Sequence, residues 1–427
     1  MKTTGILLTF LCLIMLTNCP KGPEEFEPNY DESKVSDYQL PDPFLLENGS
    51  TVKDSADWFR LRRPEIMELF RHEVYGRVPA FDFQQEFIRS DSDTSALNSK
   101  AIRNQVRIRI SVDDKYLDIN LLIYYPENAK TVPVFLGYNF YGNHTIHSDT
   151  GIYITDNWVR NNEEYGVTGN RANEQSRGVG QRRWPVEYII SSGYALATAY
   201  YGDVDPDYDD GFSNGIHGLV YSGNEAPESD EWGSIAAWAW GLSRMLDYLE
   251  TDPLIDDQKV FVIGHSRLGK TALWAGASDE RFAIVISNNS GCGGAAISRR
   301  QFGETLSRIN TSFPHWFCDH FNQYNDKEEN LPVDQHLLIA SIAPRPIYIA
   351  SATEDLWADP RGEFLAALAA DTVYRFLGKA GLSVQTMPEP DQPARDGYIG
   401  YHLRSGVHDI TQWDWEQYIE FVNDHFE

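Results

Sequence analysis

The pattern of apolar and polar residues changes along the chain and predicts two kinds of sheet. Apolar residues alternate with polar ones over 106–110 and 117–121, which predicts half-buried antiparallel strands. From residue 130 onward the apolar runs become short and continuous, as over 132–136 and 347–350, which is typical of parallel strands covered on both faces. Stretches with helical spacing, such as 232–251, separate these runs. The pattern therefore predicts an α/β domain, a three-layer αβα sandwich around a mainly parallel sheet.

Four further segments complete the sequence-based picture of the fold. The run over 383–387 predicts the last strand, and 414–426 the terminal helix. The segment 154–183 is long, polar and rich in glycine; such loops are usually functional or disordered, so we expect it at the mouth of a site. The acidic, glycine-rich segment 202–218 lacks the spacing of an EF-hand calcium loop, and we expect a solvated loop there.

A strand, a glycine-flanked serine and a helix follow one another between residues 260 and 276. The turn has the string GHSRLG, in which Gly264 and Gly269 flank Ser266. This order is close to the nucleophile elbow of α/β-hydrolases, where the serine hydroxyl stands above the sheet at a helix N-terminus. The second glycine follows the serine by three residues instead of the usual two. Arg267 and Lys270 add two cations, which a buried turn seldom holds without a use for them. Ser266 is therefore the predicted nucleophile.

A serine hydroxyl needs a base to accept its proton and an acid to orient that base. In an α/β-hydrolase the acid, and then the histidine, follow the serine along the chain. His402 and His408 both fall between the predicted last strand and the terminal helix, and we favour His408 because it lies nearer the helix start. Asp355 and Glu354 follow the predicted strand 347–350. Asp355 has the commoner spacing for a triad acid, and Glu354 remains the alternative.

The string GHSRLGKTALWAGASDERFAIVISNNSGCGGAA, which begins at Gly264, resembles a known family. It contains G-x-S-R-x-G-K, the signature of glucuronoyl esterases, carbohydrate esterase family 15, and it looks like their bacterial branch. The similarity extends from about Trp58 to the C-terminus. The resemblance implies an α/β-hydrolase fold and a serine esterase without metal or cofactor. It also implies a substrate in which (4-O-methyl-)glucuronic acid is esterified, as in the linkages between lignin and glucuronoxylan.

The resemblance further implies roles for individual residues. Arg267 would stabilise the oxyanion, and Lys270, Glu304 and Trp357 would bind the glucuronate ring. Some members similar to this chain carry a glutamate at the position of Asn289, which can serve as the triad acid. An asparagine cannot take that role, so the acid must come from the two candidates named above.

Without the resemblance, the residues indicate a serine hydrolase with a cation-lined acyl pocket. Two other functions remain open: another carbohydrate esterase, for acetyl xylan or feruloyl groups, and a glycan-binding lipoprotein without catalysis. The two cations argue against an acetyl esterase, because an acetyl group needs no such contacts. The presence of candidates for all three triad positions argues against the binding protein.

The amino terminus and the charge indicate where the chain acts. Residues 1–19 have a basic start, an apolar run and the string LTNC, which resembles a loose lipobox ending at Cys19. We expect an exported lipoprotein, periplasmic or at the cell surface and anchored to the outer membrane, with 20–53 as an acidic linker and 54–427 as the catalytic domain. The net charge of −27 argues against nucleic acid as a partner, and we expect a monomer. Whether Cys292 and Cys318 form a disulfide stays open.

Overall fold

The computed structural model describes residues 26–221 and 225–426, and their centre is a nine-stranded sheet. The strands are β1 Gln84–Ser95, β2 Ala101–Val112, β3 Lys115–Pro126, β4 Val132–Asn139, β5 Ala195–Tyr200, β6 Ile255–His265, β7 Ile284–Asn288, β8 Ile347–Ala352 and β9 Ile399–Arg404. The α-helices are α1 Ser55–Asp57, α2 Arg63–Phe70, α3 Ala96–Ser99, α4 Val186–Ser191, α5 Gly215–Val220, α6 Ser234–Leu249, α7 Arg267–Ser278, α8 Leu306–Ser312, α9 Gln335–Ile342, α10 Pro360–Phe376 and α11 Gln412–Phe426.

The strands lie in the order β1-β2-β3-β5-β4-β6-β7-β8-β9. The three long strands β1 to β3 are antiparallel, and β3 is antiparallel to β5. All pairs from β5 through β9 are parallel. The carboxyl ends of these parallel strands meet at one edge, where α/β proteins hold their ligands.

Neighbouring residues of the parallel strands pack on opposite faces of the sheet. In β4, Val134 and Leu136 belong to the hydrophobic core with α6, α7, α9 and α10, whereas Phe135 belongs to the core with α4 and α11. Both faces are thus covered by helices, because strands that are apolar on two sides must bury both. The predicted αβα sandwich around a mainly parallel sheet is confirmed. Among the described residues, no helix is both long and apolar enough to cross a lipid bilayer.

The predicted last strand over 383–387 is wrong. The last strand is β9, and residues 383–387 are exposed or half-buried and lie outside the sheet. Every residue of β9 is buried, including the polar side chains of His402 and Arg404. Polar residues in a buried strand find their partners elsewhere in the chain, so the apolar pattern does not reveal such a strand.

Residues 26–53, part of the segment predicted as a linker, are packed against the rest of the chain. The ring of Phe26 contacts that of Trp357 with centroids 6.0 Å apart, and the carbonyl of Asn29 accepts a 2.9 Å hydrogen bond from Gly303. Glu32 pairs with a buried arginine at 2.6 Å. The predicted signal peptide and Cys19 lie outside the described residues. Cys292 and Cys318 are both buried free thiols.

Candidate active site

Ser266 occupies a tight turn between β6 and α7. Its φ of 60° lies in the left-handed region that side-chain-bearing residues rarely adopt, and such strain is typical of nucleophile turns. A Cβ at Gly264 would come within 1.8 Å of the Leu268 carbonyl oxygen, and one at Gly269 within 3.0 Å of the Ser290 Cβ. Gly264 is therefore required for the turn to pack closely, and a side chain at Gly269 would crowd Ser290.

The turn places the serine at the amino end of α7, which has 12 residues. The helix dipole puts a partial positive charge at this end, and it stabilises negative charge that develops on a substrate oxygen. The backbone N–H of Ser266 donates to the carbonyl of Asn288 at 2.9 Å, which fixes the turn against the end of β7. The backbone alone thus fixes the position of Ser266 and places a partial positive charge next to it.

His408 and Asp355 form a hydrogen-bonded pair in the same pocket as the serine. The Nδ1 atom of His408 lies 2.6 Å from Oδ2 of Asp355, and that oxygen also accepts a 2.8 Å hydrogen bond from the amide of Asn289. Only 4% of the Asp355 side chain is exposed, against 40% of the imidazole. A buried carboxylate behind an accessible imidazole is the arrangement that orients a general base. Asn289, where some relatives were expected to carry the acid, contributes a donor to Asp355 instead.

The two alternative candidates lie elsewhere. Glu354 is exposed, and its backbone N–H bonds to the carbonyl of Gly406 at 2.9 Å; its side chain does not line the pocket that contains His408. His402 lies in β9 rather than in the predicted loop. It is fully buried, with Nε2 2.9 Å from Asp414 Oδ1.

The pocket has a volume of about 350 Å³ and brings together every predicted site residue except Glu354. Its lining consists of Ser266, Arg267, Lys270, Asn289, Ser290, Gly291, Glu304, Phe313, Trp316, Asp355, Trp357, Ala358 and His408. On its polar side, Lys270 Nζ donates to the Ser290 carbonyl at 2.5 Å and lies 4.0 Å from Glu304 Oε2. Burial raises the pKa of Glu304, although Lys270 opposes that shift.

Arg267 lines the same pocket and is held by a buried carboxylate, Asp207. The Nη1 atom of Arg267 bonds to Asp207 Oδ2, while Oδ1 lies 3.0 Å from His315 Nε2 and accepts a 2.8 Å hydrogen bond from the Trp316 indole. Burial alone would raise the pKa of Asp207, but Arg267 and these two partners hold it well below its ordinary value. The carboxylate is thus a fixed negative charge that positions the guanidinium.

The prediction of a solvated loop over 202–218 is therefore wrong for residues 202–207, whereas residues 208–214 are exposed or half-buried. Asp203, Asp205 and Asp207 are all buried. Asp203 accepts a 2.9 Å hydrogen bond from the backbone of Asn120, and Asp205 accepts one of 2.5 Å from the Ser234 hydroxyl. One signal was available, because the string follows a buried strand, and the carboxyl ends of parallel strands are where functional side chains gather.

Three aromatic rings lie next to the Arg267 guanidinium. Its Cζ lies 5.0 Å from the ring centroid of Trp316, 5.7 Å from that of Phe140 and 5.9 Å from that of Phe313. These distances permit cation–π attraction, which is strongest away from water. The Nε atom is buried and has no hydrogen-bond partner among the described residues. The ion pair with Asp207 therefore leaves this one guanidinium donor unused.

A smaller cleft of about 160 Å³ adjoins the pocket and shares the serine, the arginine and His408 with it. Phe140 and Tyr141, from the loop after β4, line this cleft together with Arg160 and Arg183. Arg160 also donates a 2.8 Å hydrogen bond to the main-chain carbonyl of Asp207, the residue that pairs with Arg267. The expectation that the long loop 154–183 borders the site is confirmed, because both of these arginines belong to it.

A second histidine of the site, His265, lies beside His408. The rings of His265 and His408 are 4.6 Å apart, and His265 Nδ1 lies 2.7 Å from the side-chain oxygen of Asn288. Burial, together with the neighbouring His408, lowers the pKa of His265 well below 6.5. His265 therefore stays neutral and adds no positive charge next to His408.

Residues able to share a metal ion lie away from this pocket. In the part of the chain that the structure describes, one group has donor atoms close enough for that: His72, Glu73 and His320. None of the three lines the pocket.

The serine on its strained turn, the imidazole backed by a buried aspartate and the parallel sheet between two helix layers define the class of the protein. It is an α/β-hydrolase.

Comparison with known proteins gives the family. The model of fungal glucuronyl esterases matches residues 192–378. Carbohydrate esterase MZ0003, from an unknown prokaryotic organism, is 56% identical over 400 residues, 93% of this chain and 92% of that protein. A CE15 esterase from a marine bacterial metagenome, described as promiscuous, aligns with a TM-score of 0.89 at 54% identity, covering 94% of this chain and 100% of that one. A glucuronoyl esterase from Solibacter usitatus aligns with a TM-score of 0.86 at 43% identity, over 92% and 100%. The chain belongs to carbohydrate esterase family 15, the glucuronoyl esterases, and the predicted resemblance is confirmed.

Proposed function

We propose that this chain is a serine esterase that hydrolyses esters of (4-O-methyl-)glucuronic acid, such as those between glucuronoxylan branches and lignin alcohols. The observation that carries the proposal is one pocket in which Ser266 and the His408–Asp355 pair face two held cations, Arg267 and Lys270. Family membership supports it, because the relative from Solibacter usitatus is a glucuronoyl esterase.

In the proposed reaction, Ser266 Oγ attacks the ester carbonyl carbon while His408 takes the hydroxyl proton. The proton goes to Nε2, because Nδ1 faces Asp355. The imidazolium then protonates the departing alcohol oxygen as the bond between that oxygen and the carbonyl carbon breaks, which leaves a glucuronoyl-enzyme. Water, deprotonated by the same histidine, attacks the acyl carbon; the bond from that carbon to Ser266 Oγ then breaks, the imidazolium returns the proton to Oγ, and glucuronate leaves. Asp355 keeps the imidazole oriented throughout.

Arg267 and the amino end of α7 stabilise the negative charge on the tetrahedral intermediate. A guanidinium is a stronger partner for an oxyanion than a neutral donor, and it is most effective where water is excluded. The aromatic rings around Arg267 shield part of the guanidinium from water, and Asp207 keeps the group in place. The backbone N–H of Arg267 follows the nucleophile directly and adds a second donor.

Lys270, Glu304 and Trp357 bind the glucuronate ring. An ammonium group has three donors, and one of those on Lys270 is used by the Ser290 carbonyl, so donors remain for sugar hydroxyls. Glu304 supplies acceptors in the same place, and Trp357 supplies an apolar face for the pyranose. This combination suits a polar, hydroxyl-rich acyl group better than acetate.

The decisive experiment measures hydrolysis of benzyl glucuronate and of p-nitrophenyl acetate by wild type, Ser266→Ala and Lys270→Met. We expect wild type to cleave the glucuronate ester and Ser266→Ala to lose that activity. Lys270→Met should raise KM for benzyl glucuronate while leaving p-nitrophenyl acetate almost unaffected. Cleavage of the acetate alone would favour another carbohydrate esterase, which the promiscuous CE15 relative makes worth testing. If Ser266→Ala kept both activities, Ser266 could not be the nucleophile.

We also infer that the chain is exported as a lipoprotein that acts as a monomer in the periplasm or at the cell surface. Support comes from the apolar run within residues 1–19 and the lipobox-like string ending at Cys19. Replacing Cys19 with serine should move the protein from the membrane fraction to the soluble fraction of the producing cells. Unchanged partitioning would refute the anchor.

A further inference from the structure

A second group of chemically active side chains lies outside the pocket, where the first helices meet the segment after α8. His72 and Glu73 belong to a π-helical turn, Arg71–Tyr75, that continues α2. His320 belongs to the 3-10 helix Asp319–Tyr324. One donor atom from each of the three lies within 4.8 Å of the other two, and the two imidazole rings are 4.5 Å apart.

A second carboxylate lies beside the group, and one ring nitrogen within it is unused. Asp230 Oδ2 lies 3.8 Å from His72 Nε2, and Glu73 Oε1 lies 2.7 Å from His72 Nδ1. The Nδ1 atom of His320 is buried and has no hydrogen-bond partner among the described residues. A buried ring nitrogen without a partner costs free energy, and a metal ion is one partner that would satisfy it.

We propose that His72, His320 and Glu73 bind a divalent transition-metal ion of the Zn²⁺ type, with water as the fourth ligand. Imidazole and carboxylate are ligands that Zn²⁺ prefers. Bonds of about 2.0–2.2 Å in a tetrahedral site place donor atoms roughly 3.4 Å apart, and donor atoms that already lie within 4.8 Å of one another reach that spacing through small side-chain movements.

Neighbouring groups hold the ligands as outer partners of a metal site do. The second oxygen of Glu73 accepts 2.9 Å hydrogen bonds from the Tyr324 hydroxyl and from the Gln323 amide. Asp230, which pairs with Arg77, lies beside His72 Nε2, at the ring edge opposite to Glu73. Such partners orient the ligands before the ion arrives.

The nearby thiol of Cys318 is not a ligand. Its Sγ lies 3.6 Å from the main-chain carbonyl oxygen of His72, and it does not belong to the donor atoms that lie within 4.8 Å of one another.

The ion has a structural role and takes no part in the proposed reaction. The chain at His315 and Trp316, which contact Asp207, leads directly into the helix that contains His320. The backbone N–H of Cys318 already donates to the carbonyl of Val74 at 3.0 Å. An ion shared by His72 and His320 therefore braces the wall of the pocket against the first helices.

The test is titration of the tag-free chain with Zn²⁺ by calorimetry, with Tm measured in Zn²⁺ and in a chelator. We expect one equivalent to bind and Tm to rise by several degrees. His72→Asn and His320→Asn should each weaken binding at least tenfold and reduce the rise in Tm. The matched control is His147→Asn, since His147 pairs with one carboxylate, Glu187, at 3.1 Å and has no second histidine; it should leave both readouts unchanged.

The visible spectrum of the Co²⁺ complex of the wild type provides a readout that does not depend on variants folding. Intense bands are expected of a tetrahedral site with nitrogen and oxygen ligands. Their absence, failure to bind Zn²⁺, or binding that both histidine variants retain would each overturn the proposal. Hydrolysis of benzyl glucuronate is a separate readout, so the metal site and the esterase activity succeed or fail independently.

Discussion

Two histidine–aspartate pairs lie close together in the last part of the chain. His408 pairs with Asp355 at 2.6 Å, and His402 pairs with Asp414 at 2.9 Å. Judged by these distances the pairs are nearly equivalent. Their surroundings differ, because 40% of the His408 side chain is exposed and none of that of His402. The first imidazole lines the pocket with Ser266, and the second is enclosed in the core.

The difference teaches that a hydrogen bond between histidine and aspartate does not by itself mark a catalytic pair. Both ring nitrogens of His402 have partners in the core, because Nδ1 lies 3.1 Å from the Tyr348 hydroxyl and Nε2 faces Asp414. Arg404 shares the same carboxylate. No nitrogen of His402 remains to exchange a proton with substrate, so this pair ties β9 to α11, whereas His408 lines the same pocket as Ser266, the proposed nucleophile.

The largest effect that separates the two pairs should come from their histidines. His408→Ala should lower kcat by roughly 10⁵-fold or more, because the serine loses its base, while Tm changes little. His402→Ala should do the opposite. It removes a buried hydrogen-bonded partner and leaves Asp414 with one fewer, which should lower Tm by several degrees with most of the activity retained. Hydrolysis of benzyl glucuronate and calorimetric Tm check both variants. Strong loss of kcat in folded His402→Ala would break the distinction.

The second-largest effect on kcat should come from the proposed triad acid, Asp355. Asp355→Asn should lower kcat by roughly 10⁴-fold, because an amide cannot stabilise the imidazolium and favours the wrong tautomer. Glu354→Gln is the matched control, one residue away and exposed, and should change kcat less than about threefold. If the control lost more activity than the variant, the acid would have to be reassigned to Glu354.

A third carboxylate, Asp207, extends the comparison, because it is buried and paired with a guanidinium rather than an imidazole. Asp207→Asn should lower kcat by about 10²-fold through misplacement of Arg267, the size of effect seen when an oxyanion donor is lost. KM should change less, because the group acts on the intermediate. If Asp207→Glu kept part of the activity, the carboxylate would act by positioning Arg267 and the loss in Asp207→Asn would not be due to unfolding. Equal kcat in wild type and Asp207→Asn would show that the arginine does not depend on this pair.

The sequence predicts the parts of the site that are encoded locally. The elbow is one continuous strand, turn and helix, and its first glycine, Gly264, is required by a close backbone contact within that unit. Ser266 and Arg267 follow from it directly. His408 follows from chain order together with its position before the terminal helix.

What the sequence does not predict depends on contacts between distant residues. Asp207 is buried because Arg267 and His315 surround it, and both lie far from it in sequence, so its loop was expected to be solvated. The choice between Asp355 and Glu354 depends on which neighbour turns towards His408, and Asn289, on another strand end, helps to hold Asp355 there. The strand β9 was missed because its buried His402 is paired with a helix that follows it.

The smallest effect concerns how the stability of the protein depends on pH, and it involves the buried pair of His402 and Asp414. Burial lowers the pKa of His402 below 6.5, although Asp414 opposes that shift. A histidine with a lowered pKa in the folded state contributes stability that is fully present above 6.5 and is lost as pH falls towards its folded pKa, because the unfolded chain binds the proton first. His402→Gln should therefore make the loss of stability between pH 6.5 and 5 less steep, by at most about 1.4 kcal/mol per pH unit.

Urea midpoints across that pH range measure this slope. Trp413→Phe, which changes a ring 4.8 Å from His402 without removing a titratable group, is the control and should leave the slope as in wild type. A slope unchanged in His402→Gln would mean that the buried imidazole already carries its proton in the folded state. His402 and Asp414 would then form a buried ion pair, and accessibility alone would distinguish the two histidine–aspartate pairs.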